Sequence, residues 1–341
     1  MLTRTNRFKV GMPHLAPEKL SEVELLRLLG ANRWESISQM WGVPSHEIVN
    51  RDNERLYASF INIELNFGRG HLLETLSEGT LVQVDESVSS YAGKFVEGVA
   101  VISTPRQERP PMDSLETLAD ARGLDLPWVY MTNAFIAPRD SNNRLLVCSP
   151  VGSGEQELPR AARLPLGIAE HEEVQTSGNI QPFEEAGPAS PLSPRDGAPI
   201  PYDIALESDI NGAGLVYFCR YVSIMNYAER VLLTERLGSP LSIHAVASLS
   251  TERRRLFYFA NAGPADKVEV VLSAQVMPPG DEQPDAVDSP FCTMARFLFR
   301  ADLYRCSDRT LMASSLAQKA MNVRRSRKAV IKDVQRFLAR S

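Results

Sequence analysis

Four cysteines and five histidines are few for 341 residues, and their spacing offers little chemistry. Cys148, Cys219, Cys292 and Cys306 stand far apart, form no C-x-x-C and make no ligand cluster with the histidines. That excludes a disulfide framework, a zinc knuckle and a dithiol redox centre, and leaves reduced, mostly buried thiols and no metal. Positive charge is not in surplus either. Lys and Arg number 37 against 42 Asp and Glu, giving a formal net charge of -5 and a pI near 5.7, so no global basic field is available to nucleic acid. No segment reaches about 18 uncharged apolar residues, the length of a membrane helix, and the first ten residues lack the apolar core of a signal peptide. The expectation is a cytoplasmic protein without a membrane or nucleic-acid partner.

What is present is apolar bulk: 43% hydrophobic and 23% charged residues suit one large or two medium domains. The chain states one plan twice. Residues 18–30 place Leu20, Val23, Leu25, Leu26, Leu28 and Leu29 on a broad helical face, with Ser21 and Glu24 spaced as a capping box and Gly30 as the end. A short helix or turn over 33–41 follows, then strand-like runs over 54–67, 79–90, 93–103, 128–137 and 144–151. Residues 152–201 are acidic and rich in Pro and Gly, and read as irregular chain that wraps the surface. After them come a strand over 202–207, a helix over 215–237 and strands over 243–249, 254–260, 267–277, 293–304 and 309–316. Strands contiguous within each half, with no crossover helices, predict an α+β class in which two curved antiparallel sheets each wrap a long helix. The corresponding division is residues 1–155, a linker over 156–200, and 201–341.

The densest chemical signal is Asp209-Ile210-Asn211-Gly212-Ala213-Gly214-Leu215, which feeds the second long helix. A helix start exposes unpaired N–H groups. If this helix begins at Asn211 or Gly212, the amides of Ala213, Gly214 and Leu215 face a carbonyl oxygen or an anion. Gly212 and Gly214 also permit unusual dihedrals and close approach of a ligand. An ordinary turn explains the same residues, since Asn and Gly favour turns whatever they face.

This segment resembles the helix-leading motif of hot-dog-fold thioesterases, in which one acidic residue follows another after a single intervening position and Ala-Gly precedes an apolar helix. The matching pair is Asp209 and Asn211. Asn211 departs from the pattern, because an amide is no carboxylate nucleophile or general base, although it donates a hydrogen bond. Residues 11–26 together with Leu56-Tyr57-Ala58-Ser59-Phe60 are similar to the double-hot-dog acyltransferase/decarboxylase family of polyketide assembly, whose best-known member serves leinamycin biosynthesis. That resemblance covers nearly the whole chain and implies a double hot-dog fold. It further implies that methylmalonyl coenzyme A is decarboxylated and the propionyl unit passed to the phosphopantetheine thiol of an acyl carrier protein. Coenzyme A thioester is then the substrate, with no tightly bound cofactor. Tyr57 matches the family's active-site tyrosine, as nucleophile or as polarising donor. A phenol with a pKa of about 10 is a poor nucleophile at neutral pH unless its surroundings activate it. In this division of labour Gly212 to Leu215 supply donors, Asn211 orients the substrate and Tyr57 polarises the carbonyl or delivers a proton.

Further candidates to touch substrate are His14, His71, Thr132, Asn133 and Asp209; surface or turn roles are the stronger reading for the histidines, a strand irregularity explains Thr132 and Asn133 equally well, and Asp209 orients Asn211 or the bend more readily than it attacks substrate. The basic C-terminal stretch with Arg324, Arg325, Arg327 and Lys328 suits coenzyme A phosphates or an acidic carrier, with a solvated basic face as the alternative. An acyl-CoA or acyl-carrier thioesterase, a dehydratase of the same fold and a noncatalytic acyl-CoA-binding module remain open, and a homodimer is compatible with all of them. The dehydratase is weakened by the lack of a His/Asp or His/Glu pair at either helix start. Neutralising Arg324, Arg325, Arg327 and Lys328 together is expected to raise the KM of a carrier-borne thioester at low salt. An unchanged KM removes carrier docking from this segment.

Overall fold

The protein is represented by a computed structural model that describes residues 2–17, 19–68, 72–105, 107–108, 111–112, 115, 117–137, 146–151, 161, 163–183, 199–235, 249–277 and 292–324. The first half contains β1 (Leu2–Lys9), β2 (Leu15–Ala16), β3 (Lys19–Leu20), α1 (Glu22–Trp41), β4 (Tyr57–Asn66), α2 (Leu72–Thr75), β5 (Leu81–Tyr91), β6 (Phe95–Ser103), α3 (Leu118–Arg122), β7 (Trp128–Ala137) and β8 (Leu146–Val147). α4 (Leu166–Ser177) follows, then β9 (Ile200–Asp203), α5 (Leu206–Asp209), α6 (Phe218–Glu235), β10 (Ser250–Tyr258), β11 (Lys267–Val276), β12 (Cys292–Arg305) and β13 (Leu311–Arg324). Among the described residues these build an 11-stranded antiparallel sheet, in the order β1-β5-β6-β7-β4-β10-β13-β12-β11-β9 with β8 beside β7. Each half contributes one long helix to the same face, the double hot-dog arrangement expected from the sequence. The halves fuse where β4 pairs with β10, Ile63 opposite Leu256 and Glu64 opposite Arg255.

β7 shows why its sequence carries no polar face. Val129 and Met131 join the core of α1 and α6, whereas Trp128 and Tyr130 pack with Leu118 and Ala121 of α3 on the other side. Both faces are covered, so all ten residues are buried. Edge strand β1 is covered on one side only, and its burial alternates residue by residue.

Gly30 does not end α1, which runs on through 33–41 to Gly42 in a left-handed conformation with φ of 66°. Gly30 is where α6 comes close: a methyl there would stand 2.6 Å from the Phe218 ring, itself stacked on Phe60 at 4.1 Å between centroids. Ser21 does cap α1, its hydroxyl accepting from Glu24 N at 3.4 Å. The region read as irregular contains α4, which crosses the outer face of the seam. Gly167 lets it approach until a methyl there would stand 2.7 Å from Thr132 Oγ1 and Tyr130 Cε1, and the His171 ring meets Tyr258 O at 2.8 Å. The expected strand over 243–249 and the basic C-terminal helix fall outside the described residues, apart from Leu249 and the end of β13. No helix among the described residues is long and apolar enough to cross a membrane. Cys219 is buried and Cys148 half-buried, but Cys306 is exposed, an exception to the expected burial.

Buried charge ties helices to sheet. Arg33 of α1 pairs with Glu86 at 2.7 Å and donates to Met131 O at 3.0 Å. Glu22 accepts from Arg254 at 2.8 Å and Thr251 at 2.7 Å. Burial alone would raise the Glu22 carboxyl, but Arg254 and Lys319 outweigh it and lower its pKa to about 2. A folded pKa below the unfolded value gives stability that is full above about 4.5 and lost as pH falls towards about 2. The contribution is on the order of 3 kcal/mol. Urea midpoints measured from pH 5 to pH 3 are expected to fall for the native chain and less steeply for Glu22→Gln; parallel slopes would remove Glu22 from the acid response. Gly30→Ala is expected to cost about 1–3 kcal/mol at neutral pH by the same measurement, through the displaced Phe218.

Candidate active site

The start of α6 lies against the start of β4, and between them is a cleft with about 590 Å³ of empty space, part of it open to solvent. One wall comes from the first half: Trp34 of α1 and Tyr57, Ser59 and Phe60 of β4. The other comes from the second half: Asn211, Ala213 and the run from Leu215 to Phe218. Tyr221, Tyr258 and Asn261 complete the lining. Two residues far apart in sequence, Tyr57 and Asn211, therefore face one space.

The bend is held from outside the cleft. Asp209 is fully buried and accepts from Tyr202 Oη at 2.9 Å, Ala205 N at 2.9 Å and Arg220 Nε at 2.7 Å. Burial pushes its carboxyl up, but these donors outweigh it and hold the group below its usual range. Its backbone oxygen accepts from Tyr217 N at 2.7 Å, fixing the entry to α6. Asp209 thus positions the bend and does not line the cleft.

Inside the bend, Asn211 Oδ1 accepts from Ala213 N at 2.9 Å and Leu215 N at 3.2 Å, while its backbone oxygen accepts from Gly214 N at 3.0 Å. Gly214 takes a φ of 74°, which a side chain would resist. The amides of Ala213, Gly214 and Leu215, expected to be open donors, are occupied: the Asn211 side chain takes those of Ala213 and Leu215, and its backbone oxygen takes that of Gly214. The helix begins later, at Phe218, so the first amides with no carbonyl to reach inside it are those of Phe218 and Cys219. Asn211 Nδ2 and the Tyr57 hydroxyl have no hydrogen-bond partner among the described residues. Tyr57 is half-buried, with the Arg55 guanidinium 4.8 Å over its ring.

Sequence reasoning missed Trp34, Arg55 and Asn261. Asn261 Oδ1 accepts from Val216 N at 2.9 Å and its Nδ2 donates to Val216 O at 3.3 Å, so one carboxamide clasps the bend. The turn run Ala260-Asn261-Ala262-Gly263 was its only visible signal. Burial raises the pKa of the Tyr217 hydroxyl and of the Cys219 thiol to about 12 each, so both stay protonated at neutral pH. No carboxylate or imidazole among the described residues lines the cleft, and no described group of three or more His, Cys, Asp or Glu is placed to hold a metal ion.

The remaining candidates lie elsewhere. Thr132 is on the outer face beneath α4. Asn133 faces α1, accepting from Arg33 at 3.4 Å and donating to Ala58 O at 3.3 Å. His14 accepts from Gly11 N at 3.0 Å in a tight turn away from the cleft. Arg324 ends β13, and His71, Arg325, Arg327 and Lys328 are outside the described residues.

No protein-family profile and no curated protein matches the chain. Among solved structures it is similar to an acyl-ACP thioesterase from Bacteroides thetaiotaomicron VPI-5482, at 12% identity and a TM-score of 0.52, over 93% of this chain and 97% of that one. It is also similar to the 12:0-ACP thioesterase of Umbellularia californica, at 8% identity and a TM-score of 0.50, over 94% and 97% of the two chains. Likeness at this identity shows the double hot-dog fold. It also corrects an expectation: both of these neighbours are thioesterases and neither is a decarboxylase or acyltransferase, so the methylmalonyl-CoA decarboxylase, acyltransferase and polyketide assignments are set aside. Asn211→Asp, which keeps the acceptor for the turn and removes the Nδ2 donor, is expected to retain the thermal midpoint within a few degrees. Asn211→Ala strips the turn of its acceptor and is expected to cost about 1–3 kcal/mol by denaturant titration.

Proposed function

We propose that the chain hydrolyses acyl thioesters carried on coenzyme A or on the phosphopantetheine arm of an acyl carrier protein. The observation that carries this reading is the shared cleft, in which Tyr57 of one half faces Asn211 and the α6 start of the other. The thioester carbonyl oxygen is placed at the amide of Phe218, which lines the cleft, where the positive end of the helix dipole opposes a developing oxyanion. Tyr57 donates to the same oxygen, and Asn211 Nδ2 holds the attacking water. Phe60, Phe218 and Trp34 supply an apolar wall for an uncharged acyl group.

Water adds to the carbonyl carbon, the tetrahedral oxyanion collapses, and the carbon–sulfur bond breaks to release carboxylic acid and thiolate. A thiolate is a good leaving group and needs no acid. With no described carboxylate or imidazole at the cleft, the proton of the attacking water leaves through the open mouth. The rate is then governed by hydroxide: log kcat/KM is expected to rise with a slope near one between pH 6 and 8, whereas a plateau beginning near pH 6 would indicate a general base and sink this mechanism.

Free thiol released from butyryl-CoA, followed by a thiol reagent, tests the activity directly. Tyr57→Phe is expected to lower kcat about 10- to 100-fold with little change in KM, as for a donor used chiefly in the transition state. Tight binding without thiol release would instead favour the noncatalytic acyl-binding module.

A further inference from the structure

Part of the cleft wall is a pair of rings that meets α1 at a glycine. Phe60 of β4 and Phe218 at the start of α6 both line the cleft and stack at 4.1 Å between centroids. A methyl at Gly30 would stand 2.6 Å from Cε1 and Cζ of Phe218 and 3.7 Å from Cζ of Phe60, so both rings reach that turn of the helix. Gly30 does not line the cleft, whereas Trp34, one turn further along the same face of α1, does. The two rings therefore stand between Gly30 and the open space. They are 4% and 8% exposed, and both belong to the core that α1 shares with α6.

Neighbours hold the rings where they are. Tyr217 meets Phe218 edge-on, with 4.9 Å between centroids and 78° between planes. The Tyr258 hydroxyl donates to Phe218 O at 3.1 Å and fixes its backbone. Tyr258 in turn packs edge-on against Tyr221, whose hydroxyl donates to Ala260 O at 3.0 Å. Moving Phe218 aside would break these contacts and open a void in packed surroundings. Glycine at position 30 lets the stack lie against the helix, and any side chain there would drive it towards the cleft.

We infer that the Phe60–Phe218 stack is the floor of the acyl pocket and restricts the substrate to short acyl chains, with Gly30 as the positioning residue that sets how deep the floor lies. The inference rests on the thioester reading of this cleft and names its acyl class. Phe218 then acts twice, its amide receiving the carbonyl oxygen and its ring stopping the chain. The space for the acyl group is the reach of a single side chain. A short chain fits within that reach, and each further methylene has to displace a ring packed between helix and strand.

Thiol release from butyryl-, hexanoyl- and octanoyl-CoA, each read as kcat/KM, tests the assignment. The native chain is expected to lose about tenfold or more from butyryl to octanoyl. Phe60→Ala, which removes half of the floor, is expected to raise octanoyl relative to butyryl about tenfold, and the milder Phe60→Leu to shift the ratio the same way if the alanine variant does not fold. Gly30→Ala is expected to act in the opposite sense, lowering hexanoyl relative to butyryl, and that shift is expected to vanish in the Gly30→Ala, Phe218→Leu double variant. A merely structural glycine would change the thermal midpoint and leave the ratios among acyl lengths alone. Equal turnover of all three substrates by the native chain, or one length profile shared by the native chain and every folded variant, overturns the inference. No thiol release from any of the three removes the thioester reading itself, and this inference with it.

Discussion

Two successive arginines at the seam hold the molecule together. Arg254 and Arg255 are neighbours on β10, so the pleat sends them to opposite faces of the sheet. Arg254 reaches Glu22 at the start of α1 on the helix-bearing face. Arg255 meets Glu64 at 3.2 Å on the other face, where Arg122 of α3 joins Glu64 at 2.6 Å and Glu170 of α4 at 2.8 Å. The Arg254–Glu22 and Arg255–Glu64 pairs each join the first part of the chain to the second. The backbone ladder between β4 and β10 fixes register, and these side chains fix what lies above and below it. Breaking one buried partner leaves the other as an uncompensated charge, at a cost of about 3–5 kcal/mol.

The cleft at the start of α6 and a cavity at the start of α1 both follow from this seam. Each long helix begins near the strand contributed by the other half, because the central pair is antiparallel and the halves repeat the same order of helix and strands. A helix start presents free amides, and a strand start can place a side chain opposite them without disturbing the core. The close packing of α1 on α6 at Gly30 and Phe218 then sets the depth of the first cleft. The same fold can therefore carry different chemistry at two equivalent places, with side chains alone making the difference.

The architecture was legible because it rests on local periodicity. β7 was visible to the residue, and the Tyr91-Ala92-Gly93 turn shows its hairpin geometry in positive φ at Ala92 and Gly93. Gly30 was misread because its local meaning, a helix end, lost to a long-range one, room for a ring from α6. α4 was hidden for a similar reason: its Glu170 is matched by Arg122 of α3, far away in sequence. At the site, the bend and Tyr57 were both noticed, but the direction of the Asn211 side chain was not. An Asn beside two glycines reads as an invitation to a ligand, yet its oxygen serves the backbone of its own turn and only its nitrogen faces outward. Trp34 and Arg55 carried no motif and Asn261 only a turn run: Trp34 gains its role once the halves meet at the cleft, and Asn261 once the fold brings it to Val216.

The contrast between this cleft and a second cavity at the start of α1, with about 1200 Å³ of empty space partly open to solvent, bears on why polar groups persist in the second. Glu229, Asn226, Lys319, Arg254 and Glu22 lie in a connected patch between α1, α6, β10 and β13. Burial pushes the Lys319 ammonium towards its neutral form even with Glu229 and Glu22 beside it. A buried carboxylate oxygen left without a donor costs about 1–3 kcal/mol, and an apolar residue of similar volume would avoid that penalty. The first cleft shows that this fold tolerates such apolar lining at the equivalent place. What retains the charged lining is its connectivity: removing any one member leaves its partners as uncompensated buried charge, so the cost of each group is offset only while the others are present.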